Sequence, residues 1–467
     1  MIGFWDVIAR SESGPLVKEK EFDLHLGRVA KQLVEKYNIV YDPEQVVPAD
    51  DGLADRVYQA SLDLFLEVGI YCRDTGRVMQ FTRQEVDWAL KQAASTVTYG
   101  QGRDEAVMRC RSVEDSKPPF CLMTPVGTPV AEERFVPLVQ SYVQEPLAQT
   151  FSSAFSQTVH GRPIKSGTPQ EVEAAIWNVI KLREAARAAG RPQIGIHNLI
   201  SNAERTDAML AAMHTDFGAQ SNDGLCIAAI AELKIDYERV KKVVFLRHSG
   251  HNKYGLYGPL MGGYSGGPEA TAIVHVAHHF LGLLVFDAQW HCGFPLPIHH
   301  GCNTTRELLW LVSVTAQALS RNTRLLITVN TFAEAGPCTE MVAYEIVASA
   351  LAATVSGADL DLAAVARNRH PDRASGMEAR IGAEAGHLAA RQGIPREQVN
   401  EMVKQILNQY ESQIGNAPMG RRFDECYDLD TLQPTMEYLD LYERVKEKLN
   451  GFGLNYSLLN VCGTPAR

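Results

Sequence analysis

Short apolar runs alternate with longer segments of helical periodicity over residues 120 to about 365. The apolar runs cover residues 120–124, 149–155, 193–197, 224–231, 256–261, 284–291 and 325–330, with an eighth run near 360–365. The helical segments between them include 169–189, 204–217, 269–282, 305–322 and 340–357. Parallel strands joined by helices produce such an alternation. The pattern predicts an α/β fold, a (β/α)8 TIM barrel, with an open doubly wound sheet as the alternative.

Two more polar regions with helical periodicity flank this central part. Residues 54–69 place apolar side chains on one helical stripe, and residues 395–454 do the same with Met402, Ile406, Tyr410 and Ile414. We therefore predict an N-terminal helical extension over residues 1–115, a barrel domain over 116–390 and a C-terminal helical extension over 391–467.

Composition narrows the classes of function. The chain has 467 residues, with 45 Lys plus Arg against 55 Asp plus Glu, and this acidic balance disfavours nucleic-acid binding. Its apolar runs are shorter than the roughly 18 residues of a membrane span, and the first residues lack the pattern of a signal peptide. Nine cysteines without a repeating spacing are typical of reduced thiols. We expect a cytoplasmic protein without a membrane or nucleic-acid partner.

Polar residues at the carboxyl ends of the predicted strands are the candidates for chemistry, because barrel active sites form there. They are His197, Asn198, Glu232, His291 and Asn330. Glu232 follows an otherwise apolar strand, where a carboxylate can hold a cation or act as a base. The alternative is an acid that merely begins the next turn, and the sequence leaves both interpretations open.

A group of histidines and cysteines lies close together in sequence. His291, Cys292, His299, His300 and Cys302 are residue types that bind zinc. Their spacing matches no common structural zinc pattern, so we favour histidines with ordinary hydrogen-bond partners and predict no metal site.

Two loops join predicted strands to predicted helices. The glycine-rich loop 262–267 can turn tightly or present backbone amides to a ligand, and both interpretations stay open. It lacks the spacing of a dinucleotide-binding loop. Cys338 lies in the second loop without a base nearby in sequence, so a structural role is favoured over nucleophilic catalysis.

Several short strings together resemble the monomethylamine:corrinoid methyltransferase family. Each is weak alone, but they occur in the family's order along most of the chain. They are residues 69–72, 102–104, 111–113, 232–236, 262–264, 303–307, 335–341, 376–380 and 425–428.

This resemblance implies a barrel enzyme that forms a homo-oligomer and moves a methyl group from a small amine to the Co(I) of a corrinoid. The corrinoid, a cobalamin, is carried by a separate cognate protein, so the enzyme itself needs no tightly bound cofactor. In the family, a pyrrolysine is thought to bind the amine, and two glutamates and a glutamine surround it.

The present sequence departs from the family at these positions. The pyrrolysine position falls at or next to Thr206, one glutamate is retained as Glu232, and the other falls near Leu256 or Tyr257. The glutamine falls at Asn330. We therefore predict a pyrrolysine-independent methyltransferase in which Glu232 and Asn330 are the catalytic residues.

The altered pocket favours a methylated amine or a quaternary ammonium compound, since the latter leaves as a neutral amine without an imine-forming residue. Aromatic rings at Trp290, Tyr257 and Tyr264 would then attract the cation, each by ~0.5–2 kcal/mol. The residues predicted to bind substrate are Thr206, Leu256, Tyr257, Tyr264 and His291. Two alternatives are a zinc-dependent enzyme that demethylates O- or S-methyl compounds and a non-catalytic scaffold that binds a corrinoid protein.

Overall fold

A ring of eight parallel strands forms the centre of the computed structural model, which describes residues 2–366 and 369–461. The strands are β1 Cys121–Met123, β2 Thr150–Ser152, β3 Gly195–Asn198, β4 Gly224–Ala228, β5 Asn252–Tyr257, β6 Trp290–Gly293, β7 Ile327–Phe332 and β8 Asp359–Ala364. Strands β1 to β3 pair in sequence order, as do β4 to β8, and β8 pairs with β1. Strands β3 and β4 are neighbours but do not form a ladder, which leaves a gap in the ring. At that gap the Leu199 N–H donates to the Gly224 carbonyl over 3.0 Å. The predicted TIM barrel is confirmed.

Eight helices connect or follow the barrel strands. They are α5 Glu132–Val143, α6 Pro169–Ala188, α7 Thr206–Ala212, α8 Tyr237–Ser249, α9 Pro268–Leu284, α10 Arg306–Asn322, α11 Glu340–Val355 and α12 Gly376–Gln392. Helix α11 is apolar on all sides and buried from Met341 to Val355, because α12 and a later helix, Arg396–Tyr410, pack over it. A helix of this composition is stable only when it is covered on every face.

The N-terminal part wraps one side of the barrel and closes its amino end. Its helices are α1 Phe4–Ser13, α2 Glu19–Lys36, α3 Asp51–Val68 and α4 Arg83–Gln92. An antiparallel hairpin follows, made of Thr96–Tyr99 and Ala106–Arg109. Its Tyr99 hydroxyl accepts a 2.7 Å hydrogen bond from the indole of Trp290 on β6. The hairpin therefore plugs the amino end of the barrel with apolar and aromatic side chains.

The C-terminal part packs against the outer helices. It contains α13 Arg396–Tyr410, the short α14 Phe423–Cys426 and α15 Met436–Gly451. Both α13 and α15 contact α11, so the predicted helical extension covers the barrel from outside. Among the described residues, no helix is long and apolar enough to cross a membrane.

Some predicted boundaries are wrong. The fifth strand runs from Asn252 to Tyr257 rather than over 256–261, and the sixth begins at Trp290 rather than at residue 284. The reason for the second error is that the apolar end of α9 continues to Leu284 and has the composition of a strand. The single helix predicted over 204–217 is divided into α7 and a 3-10 turn at Thr215–Phe217.

Candidate functional site

The carboxyl end of the barrel lumen is only partly covered. Inward-facing Cys226 and Leu256 are only partly buried, as are Phe332, which ends β7, and Phe294, which follows β6. The two phenylalanine rings stack with their centroids 5.6 Å apart. The amino half, in contrast, is filled by the hairpin and by the stacked pair Tyr254 and Trp290. A ligand therefore enters from the carboxyl ends of the strands, where barrel enzymes bind substrates.

A buried carboxylate, Asp361 on β8, lies inside this lumen. Its Oδ2 accepts a 2.6 Å hydrogen bond from the amide of Asn330 on β7, and the thiol of Cys292 on β6 lies 3.4 Å away. Its Oδ1 accepts a hydrogen bond from the Thr124 hydroxyl at the end of β1. All these partners are neutral, so the described residues give Asp361 hydrogen bonds but no direct cation.

His197 on β3 continues this network across the lumen. Its Nε2 lies 3.0 Å from the Thr124 hydroxyl and its Nδ1 lies 2.9 Å from the Thr150 hydroxyl on β2. Complete burial lowers the pKa of His197 to about 3, so the ring is neutral at physiological pH. The histidine therefore acts through hydrogen bonds and not through charge.

The electrostatics of Asp361 suit a cationic ligand. Burial raises the pKa of its carboxyl to about 6, and the hydrogen bonds from Thr124, Asn330 and Cys292 oppose that increase. The group is therefore mostly ionised at neutral pH. Because the Asn330 nitrogen points to Asp361, its Oδ1 points elsewhere, and this buried oxygen has no partner among the described residues. The pair offers one negative charge and one free acceptor.

Glu232 was predicted to be catalytic, but it lies outside this network, in the loop between β4 and α8. One carboxylate oxygen accepts a 2.9 Å hydrogen bond from the Leu260 N–H, and the other has no partner in the described chain. Burial raises the pKa of Glu232 to about 7, although Leu260 and Ser265 oppose that increase. The adjacent Leu233 is fixed by α9 through a 3.1 Å bond to His278. The contacts around Glu232 therefore link the β4–α8 loop to the segment after β5 and to α9.

Thr206 lies at the start of α7, outside the lumen. Its hydroxyl donates to the Glu238 carbonyl over 2.6 Å, and both residues line a cavity of about 330 Å³ between α7 and α8. From α8, Lys242 donates to the Cys226 carbonyl over 3.0 Å and Arg239 donates to the Ala228 carbonyl. These bonds satisfy strand carbonyls where the β3–β4 ladder is open. The predicted pyrrolysine position therefore adjoins this gap and not the centre of the lumen.

The predicted aromatic pocket is not assembled in the structure. Strand alternation turns the side chains of Tyr257 and His291 away from the lumen. On the outer side of the strands, the two side chains share a 2.8 Å hydrogen bond. Tyr264 lies in a surface loop and is exposed, whereas Trp290 is buried in the closed amino half. Of the residues predicted to bind substrate, only Leu256 lies in the open part of the lumen, together with the predicted catalytic Asn330.

The histidine-rich segment does not converge on one point. His299 is exposed, while His291 and Cys292 face opposite sides of β6. Within the described residues, no group of three or more histidine, cysteine, aspartate or glutamate side chains could hold a metal ion. The zinc alternative needed His291, His299 or His300 together with a cysteine, and this geometry does not supply that set.

Sequence reasoning missed Asp361, Thr124, Thr150 and the two phenylalanines. A signal existed for Asp361, because residues 359–362 alternate between acid and leucine, which places both acids on one side of the strand. Threonine and phenylalanine are ordinary strand residues, so nothing in the sequence distinguished Thr124 or Phe332 from core positions.

A (β/α)8 barrel with a buried acid and a buried amide near the carboxyl ends of its strands has the architecture of a barrel enzyme. Residues 2–454 match the family model described as monomethylamine methyltransferase MtmB. Monomethylamine methyltransferase MtmB1 of Methanosarcina acetivorans is 32% identical over 454 residues, covering 96% of this chain and 98% of the relative. MtmB of Methanosarcina mazei is also 32% identical, with the same coverage of both chains.

Solved structures agree with these relatives. The crystal structure of Methanosarcina barkeri monomethylamine methyltransferase superimposes with a TM-score of 0.93 at 30% identity, covering 97% of this chain and 98% of that one. A structure described as the hydroxylamine MtmB complex has the same TM-score. The chain belongs to the monomethylamine methyltransferase MtmB family and is a methyltransferase.

Proposed function

We propose that this protein transfers a methyl group from a small N-methylated compound, of the methylamine or quaternary amine type, to the Co(I) corrinoid of a cognate corrinoid protein, without a pyrrolysine. One observation carries the proposal. The ionisable Asp361 and the free oxygen of Asn330 lie together in a lumen that is open at one end.

Charge supports a cationic methyl donor. Methylammonium and quaternary ammonium ions are positive, and Asp361 is a buried acid whose hydrogen-bond partners among the described residues are all neutral. An opposite charge at ~4 Å interacts by ~4 kcal/mol at the effective dielectric constant of a protein site. A cation in the lumen therefore supplies the counter-charge that the surrounding side chains do not provide.

Shape and polarity support the same class. The stacked Phe294 and Phe332 form an aromatic wall at the open end, and such rings attract alkylammonium groups. The free Oδ1 of Asn330 can accept an N–H from a primary or secondary amine, or can contact the polarised methyl groups of a quaternary ion.

The reaction requires little covalent chemistry from the protein. Co(I) supplies the electron pair of the new cobalt–carbon bond, and the pair of the broken carbon–nitrogen bond stays on nitrogen. An ammonium donor thus leaves as a neutral amine. Asp361 and Asn330 would hold the nitrogen, and the aromatic wall would exclude water and leave the methyl group directed to the open end.

The residue at the predicted pyrrolysine position also supports this account. Thr206 offers a hydroxyl that already bonds to the Glu238 carbonyl, and it cannot form an adduct with an amine through an imine. A quaternary ammonium ion has no lone pair for such an adduct, so a charged site serves it better. Glu232, which has one oxygen without a partner among the described residues, stays a predicted catalytic residue.

The test is a methyl-transfer assay with purified protein, reduced corrinoid protein and a panel containing methylamines and quaternary ammonium compounds. Formation of methylated corrinoid, followed by its absorption spectrum, is expected with at least one cationic donor. Glu238→Gln serves as a control variant in this assay, because it removes a carboxylate that lies beside Thr206 and outside the lumen. Absence of methyl transfer from every donor in the panel would contradict the proposal. We also expect the homo-oligomeric state that the family resemblance implies and the cytoplasmic location that the cysteine pattern favours.

A further inference from the structure

We propose that His197 and Thr124 are positioning residues that act as a hydrogen-bond relay, holding Asp361 ionised and oriented toward the open lumen. The substrate that Asp361 would hold rests on the proposed function. The relay itself does not, because it is defined by contacts among residues of this chain.

Proton counting fixes the direction of the relay. An ionised Asp361 can only accept, so the single hydroxyl proton of Thr124 is donated to Oδ1. Thr124 must then accept at its oxygen, so the Nε2 of His197, 3.0 Å away, carries the ring proton. The Nδ1 of the neutral ring is left as an acceptor for the Thr150 hydroxyl at 2.9 Å. One tautomer of His197 is therefore consistent with all three hydrogen bonds, which link β8, β1, β3 and β2.

Other titratable groups that face Asp361 stay neutral near pH 7. Burial lowers the pKa of His197 to about 3, and it raises the pKa of Cys226 to about 11. Burial also raises the pKa of Tyr254 and of Cys292 well above their usual values. None of these groups supplies a positive charge, so the ionised form of Asp361 depends on its hydrogen-bond donors, and Thr124 is the donor to Oδ1.

The ionised form matters for the chemistry of the donor. A carboxylate beside an amine favours the ammonium form, in which nitrogen can take the electron pair of the broken bond and depart neutral. A protonated Asp361 would remove that stabilisation. Loss of the Thr124 hydroxyl should therefore raise the pKa of Asp361, so that the ionised form is lost at a higher pH than in the wild type. Replacing a threonine with a purely structural role would not cause this change.

The direct test is a pH titration of Asp361 by 13C NMR of protein labelled at the aspartate carboxyl carbon, with the resonance assigned by its absence in Asp361→Asn. Thr124→Val removes the hydroxyl and keeps the shape, and we expect the titration midpoint to rise by ~1 pH unit. Thr124→Ser keeps the hydroxyl and should restore the wild-type midpoint. Thr315→Val is the matched control, since Thr315 is similarly buried on α10 and its hydroxyl has no hydrogen-bond partner among the described residues.

A midpoint in Thr124→Val that equals the wild-type midpoint, or that moves equally in Thr315→Val, would overturn the relay. If Thr124→Val does not fold, His197→Asn offers the same measurement, with a smaller upward movement expected and no movement contradicting the relay. Calorimetric titration with tetramethylammonium separates the two proposals. Failure of the wild-type protein to bind this cation at any pH contradicts the cation site, whereas the NMR midpoint decides the relay.

Discussion

Two aspartates on the same strand, Asp359 and Asp361, differ in the charge of the residues around them. Asp359 begins β8 at the closed end of the barrel, where it accepts a 2.7 Å hydrogen bond from the Phe120 N–H and lies 3.8 Å from the Arg111 guanidinium. Asp361, two residues further on, meets only neutral donors at the open end. Both acids are buried.

This difference indicates that Asp359 stabilises the fold, whereas Asp361 is the acid to which the proposed function assigns ligand binding. Asp359 has its cation within the chain, because Arg111 joins the barrel to the end of the plugging hairpin. Among the described residues, Asp361 has hydrogen-bond donors but no cation beside it, and a buried charge without a partner is costly unless a ligand supplies one. Under the proposed function, the ligand therefore binds in the half of the barrel that contains Asp361, and the half that contains Asp359 contributes structural stability.

The largest expected effect is on ligand binding. Asp361→Asn removes the negative charge with little change in shape, and we expect it to weaken binding of a methylated ammonium ion by ~100-fold or more, since the charge interaction is worth ~4 kcal/mol. Asp359→Asn should bind near the wild-type level. Calorimetric titration of both variants gives the comparison, and equal losses in the two would remove the distinction between the acids.

The second effect is on stability. Arg111→Met leaves Asp359 as a buried carboxylate without its cation and removes donors from nearby carbonyls. We expect the free energy of unfolding to fall by ~1–3 kcal/mol, because Asp359, whose pKa is raised by burial to about 7, can take up a proton when the cation is lost. Urea denaturation measures this change. Folded Arg111→Met protein should still bind a methylated cation, and lost binding in folded protein would contradict the separation of the two halves.

The third effect is the pH dependence of stability. Because the pKa of Asp361 is raised to about 6 in the folded protein, the folded state holds a proton that the unfolded state has released. Stability from this group is therefore lost as pH rises from about 4 to about 6. Asp361→Asn lacks that loss, so its stability relative to the wild type should increase over this range by ~1–3 kcal/mol. Denaturation at both ends of the range checks the sign, and a relative decrease would contradict it.

The smallest effect concerns the aromatic wall. Phe332→Leu keeps an apolar side chain but removes a ring from the stacked pair, and we expect binding of tetramethylammonium to weaken ~5-fold, equivalent to ~1 kcal/mol. Phe135→Leu, on α5 outside the lumen, is the control for losing a buried phenylalanine. If Phe332→Leu binds tetramethylammonium as well as Phe135→Leu does, Phe332 does not contact the cation.

The sequence predicted the barrel well because each β-α unit is a local pattern, and eight such units allow few other arrangements. The site was predicted less well because its members are distant in sequence. Asn330 was found from its place at the end of a predicted strand and again through the family resemblance, whereas Thr124 and Asp361 meet only after β8 pairs with β1. Tyr257 and His291 were placed wrongly because their side of the strand depends on register, and a shift of one residue reverses it.

The most direct test of a charged methyl-donor site is calorimetric titration of wild-type protein and Asp361→Asn with tetramethylammonium and with tert-butanol, a neutral molecule of similar shape. The account predicts that the wild type strongly prefers the cation and that Asp361→Asn loses this preference while binding the alcohol as before. A preference for the cation that survives in folded Asp361→Asn would contradict the central role of this carboxylate.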